Sequence, residues 1–379
     1  MTTFSRYDAT NDNLAQIVSI VKAKTVSPTP FPLGFLSYLV YNYFKNSHPF
    51  QEPDGRHILA FSSNASSQTG SESAPVLLSE SIAFVIVNTR SRQRTYTEFW
   101  FDSTSPLCQD PVSPFIQSVF LQVAHFAASL PDAPIDPSQI FIGFLEKRYI
   151  PAVKLLFDLT LECLPHNALV FTATTESEGK LVVDQKALDH LNQLSLPIGT
   201  RFVVGNEAFV LDRMRVGDID TITNNNKYPY YRPYIERIMM DETVGGLGRV
   251  VRALESLDSS VPDDLGTLPP VSWCLVHLGF SIGLNWTMPL YRRKGLAVYC
   301  TAAATKAYRD FFTSPAATAV LDTLGLPHVD LQDSAGFNSL VPHCYTQTDN
   351  AASIPLFGRI GYVISEDVAV DWLVGSLKA

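Results

Sequence analysis

The sequence predicts an α/β protein of α+β type, with mixed sheets and two domains, and three observations carry that prediction. Its 379 residues exceed one ordinary domain, and 46% of them are hydrophobic, enough to fill packed cores. Segments rich in β-branched and aromatic residues are interspersed with segments of helical character. In the second half the order reads strand, strand, helix, helix, strand, helix, strand, which lacks the regular alternation of a doubly wound sheet. A break at "LSLPIGT" divides the chain into expected domains 1–195 and 196–379.

In the first domain, Leu14–Lys24 reads as a helix that ends before the Pro-rich "SPTPFP". The aromatic run "FLSYLVYNYF" is read as core packing, and "HPFQEPDGRHILAF" as a turn into a short strand. A Ser-rich loop, "SSNASSQTGSESAP", precedes two β segments, Ile82–Thr89 and Thr95–Asp102. The polar "RSRQR" between them makes a hairpin. Phe115–Leu130 and Ile150–Cys163 read as helices, separated by the loop "PDAPIDPSQ" and the strand "IFIGF".

In the second domain, Phe202–Met214 reads as one strand, Val216–Thr223 as a helix start and Pro233–Met240 as a helix. "VGGLG" lacks the strand and helix of a dinucleotide site and is read as a turn. "PVSWCLVHLGFSIGLNWTM" holds two β runs that meet at Gly279, and Ala302, Ala303, Ala304 and Ala307 favour a helix over Gly295–Phe312. "VPHCYTQT" is a strand, and "DNAASIPLFGRIGY" a short helix that stops at Gly361.

Composition excludes some functions. A formal charge of −9 opposes nucleic-acid binding, which needs a basic surface to displace counterions. The five cysteines have no metal-ligand spacing, so buried free thiols are expected, with neither disulfides nor a metal site. "MTTFSRYDATNDNL" has no apolar signal core, and no apolar run reaches the ~18 residues of a membrane span. The expectation is a cytoplasmic protein without membrane or nucleic-acid partners.

Two motifs compete for the chemistry. Gly279-Phe280-Ser281-Ile282-Gly283 matches the G-x-S-x-G nucleophile elbow of serine hydrolases. The elbow needs a helix directly after the serine, but Leu284–Met288 reads as strand and Pro289 follows it. An acid from Asp322, Asp330 or Asp333 with His343 would complete a triad, at little specificity in so acidic a chain. A hairpin turn is the favoured reading. The second motif, Arg292 to Ala297, is a basic loop that opens a helix at Gly295. Unpaired N–H groups at a helix start bind phosphate oxygens, and the basic side chains add attraction.

The surrounding sequence resembles the signature region of the GNAT acyltransferase superfamily, closest to its glycine N-acyltransferase-like branch. Val271-Ser272-Trp273, then Thr287-Met288-Pro289-Leu290-Tyr291-Arg292, then Arg292 through Ala297 follow its order of strand, turn and pyrophosphate loop. Asn350, Ser353 and Gly361-Tyr362 match its later N-x-x-S helix and L-G-[FY] element. The likeness covers residues 270–365, and the resemblance allows the first domain to be a degenerate copy of the same fold.

The resemblance implies acyl-CoA or acetyl-CoA as donor substrate and the amine of a small molecule as acceptor. Pyrophosphate would lie on Arg292, Arg293, Lys294, Gly295, Leu296 and Ala297, and pantetheine along Trp286, Thr287 and Met288. Asn350 and Ser353 would meet the far arm of CoA. The branch's general-base glutamate is replaced by Ser281 and the superfamily's acidic tyrosine by Phe357. His277, His343 and Asp349 are the remaining titratable candidates, Tyr345 could serve as acid beside His343, and Ser281 is reserved for the hydrolase alternative. Loss of the usual pair also motivates a CoA-fold protein that acts by binding. The stretch "HVDLQDSAGFNSL" is a candidate loop over the acceptor pocket.

Overall fold

The structure is a computed structural model. It describes residues 3–8, 10–24, 33–46, 56–62, 78–88, 95–130, 139–162, 166–171, 174–175, 181–182, 185–226, 232–256, 264–326 and 341–378. The candidate pocket loop ending at Leu340, the "RSRQR" turn and nearly all of the Ser-rich stretch lie outside them. Two compact units emerge, the first comprising residues 1–167, 323–325 and 366–379, the second 168–322 and 326–365. The division thus falls at Asn167/Ala168 rather than after residue 195, and residues 366–379 return to the first unit.

Unit 1 runs β1 (Thr3–Asp8), α1 (Asn11–Lys24), α2 (Leu33–Asn46), β2 (Arg56–Ser62), β3 (Ala83–Asn88), β4 (Thr95–Phe101), α3 (Pro106–Gln109), α4 (Pro114–Ser129), β5 (Gln139–Glu146), α5 (Ile150–Leu156) and β6 (Phe157–Glu162). The first four strands form an antiparallel meander, and β3 and β4 make the expected hairpin. β5 joins β4 in parallel. On one face, Ile116, Val119, Phe120 and Val123 of α4 share a core with Phe61, Val85 and Phe99. α1 packs on α2, and α2 reaches β4. The buried Phe35, Leu39, Val40 and Tyr41 show the aromatic run as helical core packing. Ile150–Cys163 is not one helix. After Leu156 the pattern Phe157-Asp158-Leu159-Thr160-Leu161-Glu162 alternates with period two, and the chain becomes β6.

Unit 2 continues with β7 (His166–Phe171), β8 (Thr174–Thr175), β9 (Leu181–Val182), α6 (Gln185–Leu194), β10 (Arg201–Val204), β11 (Glu207–Arg213), α7 (Ile219–Asn225), α8 (Arg232–Met240), β12 (Arg249–Leu254), β13 (Pro270–Val276), β14 (Ile282–Thr287), α9 (Leu296–Phe312), α10 (Pro315–Thr323), β15 (His343–Gln347) and α11 (Ser353–Ile360). The last strand, β16 (Tyr362–Leu377), begins in unit 2, and its later part pairs antiparallel with β5 and β6 of unit 1. β10 to β14 form an antiparallel sheet in sequence order. The expected single strand over 202–214 is a hairpin, because Gly205, at φ 63°, and Asn206 turn the chain between β10 and β11. "VGGLG" closes as a short 3₁₀ turn. Pro355 costs no hydrogen bond: α11 starts at Ser353, so Pro355 lies in the first turn, where N–H groups have no intrahelical acceptor.

One buried ion cluster ties this sheet together. Arg252, on β12, is fully buried; its Nε donates to Asp212 at 2.8 Å and its two terminal nitrogens to Asp218 at 2.8 Å each. Arg252 also donates to the Leu268 carbonyl, just ahead of β13. Burial opposes the charge on Asp212, yet hydrogen bonds from Arg215 and Arg252 hold its pKa below the usual carboxylate range. Four described cysteines, Cys108, Cys274, Cys300 and Cys344, are buried and free, as expected. No helix among the described residues is long and apolar enough to cross a membrane.

Replacing Arg252 with Met would leave the buried Asp218 without its guanidinium and the buried Asp212 with Arg215 alone. Denaturant unfolding should show a loss of about 3–5 kcal/mol, the usual cost of breaking a buried pair from one side. In unit 1, one carboxylate oxygen of Glu98 is buried without a partner among the described residues, and burial pushes its pKa up to about 8. The folded state therefore holds a proton that the unfolded chain has released, and stability should fall as pH rises from the ordinary carboxylate range to about 8. Glu98→Gln should flatten that fall, raising the thermal midpoint more at pH 8 than at pH 5, as calorimetry across pH would record.

Candidate functional site

The site is built on β13, β14 and the start of α9. β13 and β14 pair antiparallel, with Trp273 opposite Trp286 and Ser272 opposite Thr287. The "GFSIG" turn is held by His277 N–H donating to Ser281 O and Phe280 N–H to His277 O, at 2.8 Å each. Phe280 sits at φ 59° because its ring is anchored among Tyr308, Phe311 and Phe312. A strand, not a helix, follows Ser281, so the elbow geometry is missing. Gly283 has a packing role instead: a methyl group there would stand 2.6 Å from His277 Nε2. The pairing slips between Trp273 and Leu275, opposite the point where Leu284 adopts φ 52°.

β15 runs near β14 but shares no ladder with it. It belongs instead with β7, where Phe171 N–H donates to Pro342 O at 2.9 Å. Among the described residues, the edge of β14 away from β13 therefore pairs with no other strand. Beyond β14, Arg292 Nε donates to Thr287 O at 3.1 Å, and the guanidinium lies 4.6 Å from the Trp286 ring centroid. These contacts pin the basic loop to the end of the strand. The buried indole N–H of Trp286 has no hydrogen-bond partner among the described residues. Lys294 lies over Tyr291 and pairs with Glu207 at the β10–β11 turn.

Arg293 and Gly295 adopt φ 66° and 77°, and Gly295 precedes α9 without any side chain capping the helix. No atom lies within 4 Å of a methyl built on Gly295, so its left-handed backbone, rather than crowding within the chain, calls for glycine. In α9 the N–H groups of Leu296 and Ala297 have no intrahelical acceptor, whereas Val298 N–H closes a tight turn on Gly295 O at 2.9 Å. Unit 1 offers a direct contrast. Its α4 begins with Pro114, which has no N–H, and Ser113 Oγ accepts from Ile116 N–H. Register between β4 and β5 also stops at Glu98–Gly143, and beyond it Phe101 and Tyr149 pack with centroids 4.5 Å apart. Helix start and strand fork are both occupied there by the chain itself.

The remaining expected residues fall into two places. Asn350 Oδ1 accepts from Ser353 N–H at 3.0 Å, so the N-x-x-S spacing caps the start of α11. His277 and His343 influence each other electrostatically, and the His343 and Tyr345 rings meet edge to face at 5.5 Å. Burial lowers the pKa of His277 to about 4, with His343 adding to the effect, and burial lowers that of His343 to about 4 as well. Both imidazoles are therefore neutral near pH 7. Since Val341 O can only accept, His343 Nδ1, 3.0 Å away, carries the proton. Its buried Nε2 then presents a lone pair with no partner among the described residues. Phe357 is buried against Tyr362, whose hydroxyl is engaged with Thr305, so neither supplies an acid. Sequence reasoning missed Tyr234 on α8, whose hydroxyl lies 2.7 Å from His277 Nδ1. Its only sequence signal is a phenol on a helix.

No protein-family model matches the sequence, and no curated protein is similar to it. Solved structures do match. A Drosophila protein determined as a structural-genomics target aligns over 98% of this chain and 98% of its own, at TM-score 0.57 and 11% identity. A tandem GNAT protein from the clavulanic acid biosynthesis pathway, without AcCoA, aligns over 99% of this chain and 98% of its own, at TM-score 0.51 and 10% identity. The chain has the GNAT fold. Its two units match the tandem arrangement of the second relative.

Ser281 lies in a tight turn that joins two strands, and nothing in that geometry activates its hydroxyl. A fluorophosphonate probe should leave the protein at its native intact mass, whereas a stoichiometric adduct on Ser281 would restore the hydrolase reading.

Proposed function

We propose that unit 2 is an acyl-CoA-dependent N-acyltransferase that moves an acyl group from the thioester of CoA to the amine of a small molecule. The observation that carries this reading is the uncapped start of α9. The N–H groups of Leu296 and Ala297, the left-handed Gly295 and the basic Arg292–Lys294 loop follow directly on β14, whose edge away from β13 pairs with no other strand among the described residues. The pyrophosphate of CoA would rest on Arg293 to Ala297, and pantetheine would extend along Trp286 to Met288. Unit 1, with Pro114 and Ser113 at the equivalent helix start, would bind no CoA.

The acceptor amine attacks the thioester carbonyl, the C–S bond breaks, and the amine's surplus proton must leave. His343 Nε2 is suited to receive it, being neutral and already presenting its lone pair. Because burial depresses the His343 pKa to about 4, the base is in its active form well below neutrality. The rate should therefore rise with pH through the amine's own pKa rather than that of the imidazole. A backbone N–H of β14 would stabilise the oxyanion that develops on the carbonyl.

A binding protein without turnover is the second reading, favoured by Phe357 and Ser281 standing where the family's acid and base would be. Release of free thiol from acyl-CoA in the presence of amines separates the two. For the cofactor loop, Gly295→Asp places a carboxylate against phosphate and should abolish acetyl-CoA binding in calorimetry on the folded variant. Unchanged affinity would remove the basis of the acyltransferase reading.

A further inference from the structure

Tyr234 has no counterpart in the residues that the sequence singles out, yet it makes a direct contact with one of them, His277. Its hydroxyl is 2.7 Å from His277 Nδ1, and the two rings lie nearly parallel, 29° apart with centroids at 5.9 Å. The other ring nitrogen, Nε2, is wedged against Gly283, where a methyl group would come within 2.6 Å. The imidazole is thus gripped at both nitrogens, by α8 on one side and by β14 on the other. Leu284, at φ 52°, is the next residue along that strand.

A neutral imidazole has one donor and one acceptor nitrogen, and the partner of one decides the role of the other. Val341 O makes this assignment for His343 and leaves its Nε2 as an acceptor. A phenol can make the opposite assignment. By donating to Nδ1 it leaves the proton on Nε2, aimed at β14.

We propose that Tyr234 is a positioning residue for acyl transfer, holding His277 in its Nε2–H tautomer so that His277 donates a proton where His343 accepts one. The proposal rests on the acyltransferase reading of the same site. In the transfer step, the amine nitrogen bonds to the acyl carbon and its surplus proton passes to His343 Nε2. As the C–S bond breaks, the departing sulfur takes the proton of His277 Nε2, while the phenolic proton of Tyr234 moves to Nδ1. Proton return from His343 through solvent to His277 Nε2, with the Nδ1 proton passing back to the Tyr234 oxygen, restores the starting state. Among the described residues, the titratable groups near the pair include Tyr234 on α8, Tyr308 on α9, and His343 and Tyr345 on β15; burial depresses the pKa of both histidines, with His343 adding to the effect on His277.

The test is Tyr234→Phe, which removes one oxygen and keeps the ring stacked on His277. Long-range proton–nitrogen NMR of the imidazoles, at neutral pH and without substrate, should show His277 as the Nε2–H tautomer in the parent. In Y234F it should shift to a tautomer mixture, with His343 unaffected. In steady-state assays kcat should drop about 10- to 100-fold at constant KM for acyl-CoA, less than removal of a proton donor itself can cost. In a His277→Gln background the same change should have no further effect. An unchanged His277 spectrum, an Nδ1–H tautomer in the parent, or additive losses in the double variant would each overturn the proposal. Acetyl-CoA affinity, read by calorimetry, reports separately on the acyltransferase reading: Y234F should leave it intact. If the parent binds no acetyl-CoA, that reading fails and takes the transfer role of Tyr234 with it, whatever the tautomer.

Discussion

The geometry of unit 2 depends on the buried guanidinium of Arg252. Every nitrogen of that group is engaged, and its partners come from three separate stretches: β11 through Asp212, the turn that starts α7 through Asp218, and the approach to β13 through Leu268. A planar fork with fixed donor directions accepts only one arrangement of those stretches. Apolar packing alone would tolerate sliding; this cluster does not. It orients α7, just beyond which Asn226 accepts from the indole of Trp273 on β13. The bulge at this point of the β12–β13 ladder belongs to the same device: Val271 is the extra residue, on β13, and Arg252 faces Pro270, a residue with no N–H to offer the ladder.

Two copies of one architecture have been treated differently within this chain. In unit 1 α4 starts with Ser113-Pro114, and aromatic rings close the fork between β4 and β5. In unit 2 the helix after β14 starts with a left-handed glycine, and β15 forms no ladder with β14 among the described residues. The difference comes down to a few side chains. Where the chain satisfies its own helix start and fills its own fork, the unit gains packing. Where it leaves them open, ligand groups can complete the structure. The start of α9 is left without a side-chain cap, whereas that of α4 is capped by Ser113.

Much of this was legible in the sequence because the decisive signals are local. β13, the turn, β14, Pro289, the basic loop and Gly295 follow one another directly, and each position is dictated by its neighbours. The helix at 114–129 and the β3–β4 hairpin were clear for the same reason. What stayed hidden was either a competition of short signals or a pairing across distance. Gly205-Asn206 had the chemistry of a two-residue turn, but the apolar residues on both sides read as one continuous strand. The run after Leu156 changes from helical to alternating spacing in the middle of an apolar stretch. The Tyr234–His277 contact joins residues on different elements, and no spacing rule connects them. The Asn350–Ser353 pair was noticed for a resemblance, whereas its immediate physical role is to cap α11.

The return of the last strand to unit 1 bears on how the molecule is made. β5 is paired along one edge by Val370 to Ser376, residues synthesised more than two hundred positions later. Unit 1 therefore cannot complete its sheet as it leaves the ribosome, while the β10–β14 sheet of unit 2 needs only sequential neighbours. Through most of translation the free edge of β5 would be a template for other strands, and a chaperone that shields it until β16 arrives would find its substrate there.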